Sequence, residues 1–267
     1  MDQTMTHAYL ERIGAGRPAV ADAEALRDLQ QRHLRTVPFE NLSIHLGEEI
    51  ELTEKALVEK VVTRHRGGFC YEVNGAFAAL LGALGFGVRL LAARVFENGD
   101  ETRPGIPFDH LALWVEPVDG SGPWLADVGF GEFSEGPVLL ESREEQRDSA
   151  GVFLLREGPH GDLDVFKNGT PQYRLETRPR ALADFEGGCW YNRTSPSSHF
   201  TRGLVCSRMT GDGRITLSGR TLKRTAAGRQ QTEEELPGEA AVLDVYRRHF
   251  GIVLDREPVV TRPGTAA

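Results

Sequence analysis

Apolar positions recur at helical spacing through the first third of the chain, then change to the shorter period of strands near Gly87. A short amphipathic pattern at residues 9–13 is broken by 14–18. Asp22 then caps a helix that buries Leu26, Leu29 and Leu34 and is ended by Pro38. Thr53 caps the next, with Glu54 in its first turn and Leu57, Val58, Val61 and Val62 as its buried stripe before Gly67. A third opens at about Cys70 and carries Phe77, Leu80, Leu81 and Leu84 on its core face. Residues 88–96, 111–115, 124–128, 152–155, 163–166 and 172–177 read as strands, with Asn98-Gly99 and Asn168-Gly169 as turns, so this block reads as a small antiparallel barrel or sandwich. Residues 141–148 read as a charged, solvated loop. Beyond them the pattern gives a helix over 181–190, a polar loop at 192–200, strands at 204–207, 215–218 and 221–224, a helix over 239–249 stopped by Gly251, and a mobile tail at 262–267. Helices, then strands, then a mixed segment make an α+β chain.

The chemistry centres on Cys70. A helix N-terminus carries partial positive charge and unpaired N–H groups, so a thiol there ionises more readily than a free one, and the thiolate is the reactive form. Gly67 and Gly68 before it offer backbone freedom and room for a substrate. Taken alone, this is equally the pattern of a buried packing cysteine. Two downstream residues change the balance: His110 and Asp127, each in a strand-like run. With Asp119-Gly120 as a two-residue turn, His110 pairs with Gly129 and Asp127 falls diagonally on the same face. Cys, His and Asp then supply nucleophile, base and orienting carboxylate. Asp109 is a rival carboxylate, but adjacent strand residues point to opposite faces. His33 reads as a core histidine, and Cys189 and Cys206 as packing residues.

The run Arg66-Gly67-Gly68-Phe69-Cys70-Tyr71-Glu72, together with Pro38-Phe39-Glu40-Asn41-Leu42, Asp127-Val128-Gly129-Phe130-Gly131 and the Ser-Pro-Ser-Ser-His-Phe segment within 192–200, resembles the arylamine N-acetyltransferases of prokaryotic type. The motifs appear in family order from about residue 33 to about residue 206. Val73 departs from the residues common there, and no motif matches after about residue 207. The resemblance implies an N-terminal helical bundle at 1–87 carrying the cysteine, a central antiparallel β-barrel at 88–188 carrying the histidine and aspartate, and an α/β lid at 189–267. It implies acetyl transfer from acetyl-CoA, as co-substrate, to an aromatic amine, arylhydrazine or hydrazide through an acetyl-cysteine. By the same resemblance Gly129, Phe130 and Gly131 approach the CoA donor, and Phe39, Val95, Phe130 and Phe200 line the acceptor pocket. Two alternatives share the triad: an amide synthase acting on a carrier-bound polyketide chain, and a papain- or transglutaminase-like acyl hydrolase.

Composition narrows the field further. The chain has 267 residues, 40% hydrophobic and 26% charged, the proportions of a globular protein. A net charge of −8 argues against nucleic acid as the main partner. Three scattered cysteines point away from a disulfide framework and from a zinc site, and no metal is expected. With a polar start and no apolar run of membrane-spanning length, no membrane partner is expected and the location reads as cytoplasmic. The physiological acceptor and the oligomeric state are left open.

Overall fold

The computed structural model describes residues 1–226 and 230–260; the tail at 262–267 lies outside the described residues. The chain opens with helices α1 (Gln3–Arg12) and α2 (Ala23–Thr36), a two-residue strand β1 (Phe39–Glu40), the short helix α3 (Leu42–Leu46), α4 (Glu54–Val62) and α5 (Cys70–Ala83). Capping follows the expected chemistry: Asp22 accepts from the Ala25 N–H at 2.9 Å and Thr53 from the Ala56 N–H at 3.3 Å. Helix α5 has apolar or small residues on every side, and everything from Cys70 to Phe77 is buried. Burying Phe77, Leu80 and Leu81 contributes roughly 2 kcal/mol each, more than any cap could supply.

Strands β2 (Gly87–Val95), β3 (His110–Glu116), β4 (Trp124–Ala126), β5 (Val138–Leu139), β6 (Gln146–Asp148), β7 (Gly151–Glu157), β8 (Leu163–Lys167) and β9 (Thr170–Arg180) form one antiparallel sheet in the order β5-β4-β3-β2-β9-β8-β7-β6. Asn168 and Gly169 both take positive φ, the geometry of the two-residue turn expected between β8 and β9. The sheet curls until its two edges nearly meet. Gln146 joins them: its amide oxygen accepts from the Leu139 N–H at 2.7 Å and its nitrogen donates to the Leu139 carbonyl at 2.9 Å. The segment expected as a solvated loop at 141–148 thus supplies an edge strand, because a side-chain amide can mimic the backbone pair that β5 lacks. Phe153, Leu155, Val165, Tyr173 and Leu175 fill the interior.

Helices α6 (Glu186–Thr194) and α7 (His199–Arg202) follow, extending into the stretch expected to be a loop. Strands β10 (Cys206–Thr210), β11 (Gly213–Ser218), β12 (Thr221–Ala226) and β13 (Gln231–Glu235) then make a second antiparallel sheet, and α8 (Glu239–Val245) runs into a π-helical turn at Tyr246–Phe250, ended by Gly251 at φ 69°. The expected strand at 204–207 begins two residues later and runs longer, and β13 was not visible in the pattern. Strand β1 pairs with β10, Phe39 opposite Ser207 and Glu40 opposite Cys206, so the N-terminal segment completes the C-terminal sheet.

Candidate active site

Cys70 is the first residue of α5, and Phe69 is its N-cap. The Phe69 ring has no acceptor, so only one arm of a capping box is made: Glu72 Oε2 accepts from the Phe69 N–H at 3.3 Å. A buried charge network supports this turn from below. Arg66 donates to both oxygens of Glu40, at 2.9 and 3.2 Å, and reaches Glu48, while Lys60 donates to Glu72 and to Ser43. Burial pushes the Glu40 carboxyl up, but Arg66 and Lys60 outweigh it and hold the group at about 2. For Glu72 burial prevails over Lys60 and the carboxyl is raised.

The two glycines before the cysteine are there for proximity, which corrects the expectation of unusual backbone conformation. Neither has positive φ. A Cβ on Gly67 would come within 1.7 Å of the Pro38 carbonyl oxygen, and one on Gly68 within 2.5 Å of Glu72.

His110 and Asp127 meet across β3 and the end of β4. The ladder pairs Leu113 with Ala126 and Trp114 with Leu125, a register that, continued, sets His110 opposite Gly129 as expected. The connection itself is longer than two residues, running from Pro117 to the cis Gly122-Pro123 bond. His110 Nε2 lies 2.7 Å from Asp127 Oδ2, leaving Nδ1 as the ring nitrogen available to the thiol. Burial alone would push the imidazole down, but the Asp127 charge, its hydrogen bond and the nearby Cys70 thiol carry it up to about 10. Cys70 Sγ lies 3.9 Å from the Asp109 carbonyl oxygen.

Asn74 ties the three elements together. One turn after Cys70 on α5, its amide nitrogen donates to Asp127 Oδ1 at 2.9 Å and to the Leu111 carbonyl at 2.7 Å, and its oxygen accepts from the Val128 N–H at 2.9 Å. Asp127 also accepts from the Gly129 N–H at 2.9 Å and from the Tyr173 hydroxyl at 3.2 Å. The carboxylate that faces the imidazole is therefore held from four sides. Gly129 is needed for its lack of a side chain, since a Cβ would stand 2.7 Å from Cys70 Cα and 2.7 Å from Asn74 Nδ2.

An aromatic wall adjoins the triad. The Phe130 ring packs edge-on to His110 at 5.1 Å and near Tyr173 at 5.0 Å. Phe39 and Phe200 are 6.1 Å apart, and Gly131 lies beside Phe39. Val95 belongs to the same face as His110, because His110 pairs with Ala93 and Val95 is two residues further along β2. Asp109 points elsewhere, to Asn192, as strand alternation requires.

A sequence model of the N-acetyltransferase family matches residues 22–259. The arylamine N-acetyltransferase of Mycolicibacterium smegmatis is 38% identical over 256 residues, covering 92% of this chain and 91% of that protein. The chain belongs to the arylamine N-acetyltransferase family. The arylamine N-acetyltransferase of Escherichia coli is 32% identical over 252 residues, with 92% of this chain and 88% of that protein covered. Among solved structures, that of Mycobacterium marinum arylamine N-acetyltransferase in complex with CoA superposes with a TM-score of 0.84 at 33% identity, covering 92% of each chain.

Against this family frame, the residues carried by the resemblance sort by position. Gly129 is buried with its N–H given to Asp127, so its contribution is to let the chain pass Cys70, and Phe130 and Gly131 are the members of that segment that reach partly open space. Cys189 and Cys206 are buried, as expected of packing residues; burial pushes the Cys189 thiol up to about 12 and raises the Cys206 thiol well above the ordinary range. His33 is a core residue, 3.0 Å from the Tyr9 hydroxyl. Asn74 belongs to none of the motifs, yet its place four residues after the cysteine, on the same helix face, is a signal legible in the sequence. Tyr173 had no such signal.

Among the described residues, no helix is long and apolar enough to cross a membrane, and no group of His, Cys, Asp or Glu is arranged to hold a metal ion.

Proposed function

We propose that Cys70, His110 and Asp127 transfer an acetyl group from acetyl-CoA to the nitrogen of an aromatic amine, arylhydrazine or hydrazide. The observation that carries this reading is a cysteine at a helix start beside an imidazole bound to a buried carboxylate, in a chain of this family. The Cys70 thiolate, paired with protonated His110, attacks the thioester carbonyl. The C–S bond to CoA breaks and the leaving sulfur takes the His110 proton, leaving acetyl-Cys70 and neutral imidazole. An amine then attacks the acetyl carbonyl and gives its proton to His110. Cys70 leaves as thiolate, and the ion pair is restored. The Cys70 N–H, at the first helical position and without an intrahelical partner, is the donor we assign to the oxyanion of both tetrahedral intermediates.

Each substrate has surfaces to match. Phe39, Val95, Phe130 and Phe200 form an apolar wall suited to an aromatic acceptor. Phe130 and Gly131 are assigned to the pantetheine arm of CoA. Beyond Phe133, which packs on Phe130 at 5.9 Å, opens a cleft of about 850 Å³ between the barrel and the second sheet. Arg214, Lys167 and Lys223 line it together with Glu132 and Glu135; Lys167 pairs with Glu132 and Lys223 with Glu233, whereas among the described residues Arg214 has no carboxylate within ion-pair distance. It donates instead to Ser207 Oγ at 2.9 Å. A CoA diphosphate is the kind of anion such a cleft would receive. Arg214→Ala should then raise KM for acetyl-CoA about tenfold while leaving acetylation by p-nitrophenyl acetate, which has no phosphates, near the wild-type rate. Equal losses with both donors would remove Arg214 from the donor site.

The division into 1–87, 88–188 and 189–267 is kept as part of this reading, with Cys70 on the first unit and His110 and Asp127 on the second. A cytoplasmic location fits three unpaired thiols and a CoA thioester donor. Steady-state kinetics test the mechanism: an acyl-enzyme that releases CoA before the amine binds requires parallel double-reciprocal lines. Intersecting lines would mean direct transfer within a ternary complex.

A further inference from the structure

Phe108 takes a left-handed backbone conformation, φ 59°, which is unusual for a bulky aromatic residue, and sits two positions before His110, the first residue of β3. The conformation is held from several sides. Its carbonyl accepts from the Tyr71 hydroxyl at 2.8 Å, its ring packs edge-on to Phe185 at 5.4 Å, and the Arg180 guanidinium lies over it at 4.9 Å. The result is the placement of the next residue. The Asp109 backbone carbonyl lies 3.9 Å from Cys70 Sγ and accepts from the Tyr71 hydroxyl at 3.0 Å, while its carboxylate is turned to Asn192.

There the carboxylate has one side-chain hydrogen bond, from Asn192 Nδ2 at 3.2 Å, and among the described residues no cation within ion-pair distance; His110, the next residue, is engaged by Asp127, and the other imidazole neighbour is held neutral. That neighbour is His199, whose ring stacks on Phe200 at 4.0 Å, and burial lowers its pKa against the pull of Asp109. Burial likewise raises the Asp109 carboxyl. On its other side Oδ2 lies against Gly105, whose N–H binds the Val95 carbonyl at 2.7 Å. The group is thus flanked by Val95 and by the His199-Phe200 turn, two parts of the proposed acceptor wall. It is partly open to solvent, as a structural carboxylate in a saturated network would not be.

We propose that Asp109 is a specificity-determining carboxylate at the acceptor entrance, favouring aromatic acceptors whose far substituent is cationic or an N–H donor and disfavouring those that carry a carboxylate. An uncompensated, half-buried negative charge gains a partner from the first kind and repels the second. Asn192 fixes its direction: the same amide nitrogen donates to the Tyr71 hydroxyl at 3.0 Å, and the amide oxygen accepts from Ser198 at 3.0 Å. This inference rests on the acetyl-transfer reading given above, so its test is a ratio that is defined only if that reaction occurs.

The experiment compares kcat/KM for three para-substituted anilines: 4-aminobenzoate, 4-aminobenzamide and 4-aminobenzyltrimethylammonium, with acetyl-CoA as donor. Intrinsic amine reactivity cancels when each value is divided by that of the benzamide and the quotient compared between proteins. Asp109→Asn keeps the Asn192 contact in shape but removes the charge. The benzoate-to-benzamide ratio should rise about tenfold and the ammonium-to-benzamide ratio fall about tenfold, the difference one nearby charge makes in a partly screened site. Raising salt should shrink both differences in the wild type and not in the variant. Ratios unchanged within twofold would overturn the proposal, as would a shift of the same sign for both ions. Asp109→Ser repeats the comparison if the Asn variant folds poorly. Loss of transfer to all three acceptors in both variants, with circular dichroism intact, would also overturn it by placing Asp109 in acyl transfer itself. Absence of acetylation of any amine by the wild type would instead refute the acetyl-transfer reading and is distinguishable on that ground.

Discussion

Cys70→Ala is expected to abolish acetyl labelling by acetyl-CoA and to lower turnover by more than about 10³-fold, because removing the nucleophile leaves only binding and background reaction. Intact-mass measurement after incubation with acetyl-CoA alone should show one acetyl group on the wild type and none on the variant. The other two thiols are poor substitutes. Cys189 and Cys206 are buried, both are pushed towards the neutral form by that burial, and neither begins a helix next to an imidazole. The fold should tolerate the change, since Cys70 is held in place by the surrounding core of α5 and by the Asn74 bonds to the strands. An acetyl group found on Cys189 or Cys206, or full turnover in the variant, would refute the assignment of Cys70.

The second large effect belongs to Asp127→Asn. Turnover should fall by roughly 10³- to 10⁴-fold, with the fold retained, through a change of tautomer. In the wild type, Oδ2 accepts from His110 Nε2–H, which leaves Nδ1 to exchange a proton with the thiol. An asparagine can keep Oδ1 bonded to Asn74 and to the Gly129 N–H, which puts its NH₂ group where Oδ2 was. That group donates and cannot accept, so Nε2 must give up its proton and Nδ1 must carry one. The base is then blocked on the side where it is needed. The charge change acts in the same direction: without the carboxylate that carries His110 up to about 10, burial pushes the imidazole down. Iodoacetamide inactivation should therefore be near its plateau at neutral pH in the wild type, and its profile should move to higher pH in the variant. Stability gives an independent sign. His110 is raised from 6.5 to about 10 on folding, so its contribution is complete below about pH 6.5 and is lost as pH rises through about 10. Asp127→Asn should remove that alkaline loss. A variant with wild-type turnover, or with an unshifted inactivation profile while folded, would rule out Asp127 as the orienting group.

Much of this protein could be read along the chain, and the reason is that the legible parts depend on neighbours in sequence. Helix starts at Asp22 and Thr53 need only a side-chain oxygen three residues before an N–H. The start of α5 at Cys70 follows from the run of apolar residues after it. Strand alternation put Asp109 on the face away from Asp127, and the β3–β4 register brought His110 to Asp127 even though the connecting loop was not the short turn expected, because register depends on which faces are apolar as much as on the turn.

Other features arose only when distant segments met. Strand β1 is two residues long and has no period to detect; it is a strand because β10 offers it a partner. The charged stretch at 141–148 closes the barrel because Gln146 happens to face Leu139. Gly67 and Gly68 are required by the nearness of Pro38 and Glu72, not by their own backbone angles. Tyr173, 46 residues after Asp127, reaches the Asp127 carboxylate only through the curl of the sheet. The same is true of the left-handed Phe108, which no local pattern favours and which Tyr71, Phe185 and Arg180 hold in place. Local hydrogen bonding and periodicity set the elements and the order of Cys70, His110 and Asp127 along them, whereas the support of the Asp127 carboxylate and the direction of Asp109 depend on contacts across the fold that no short stretch of chain encodes.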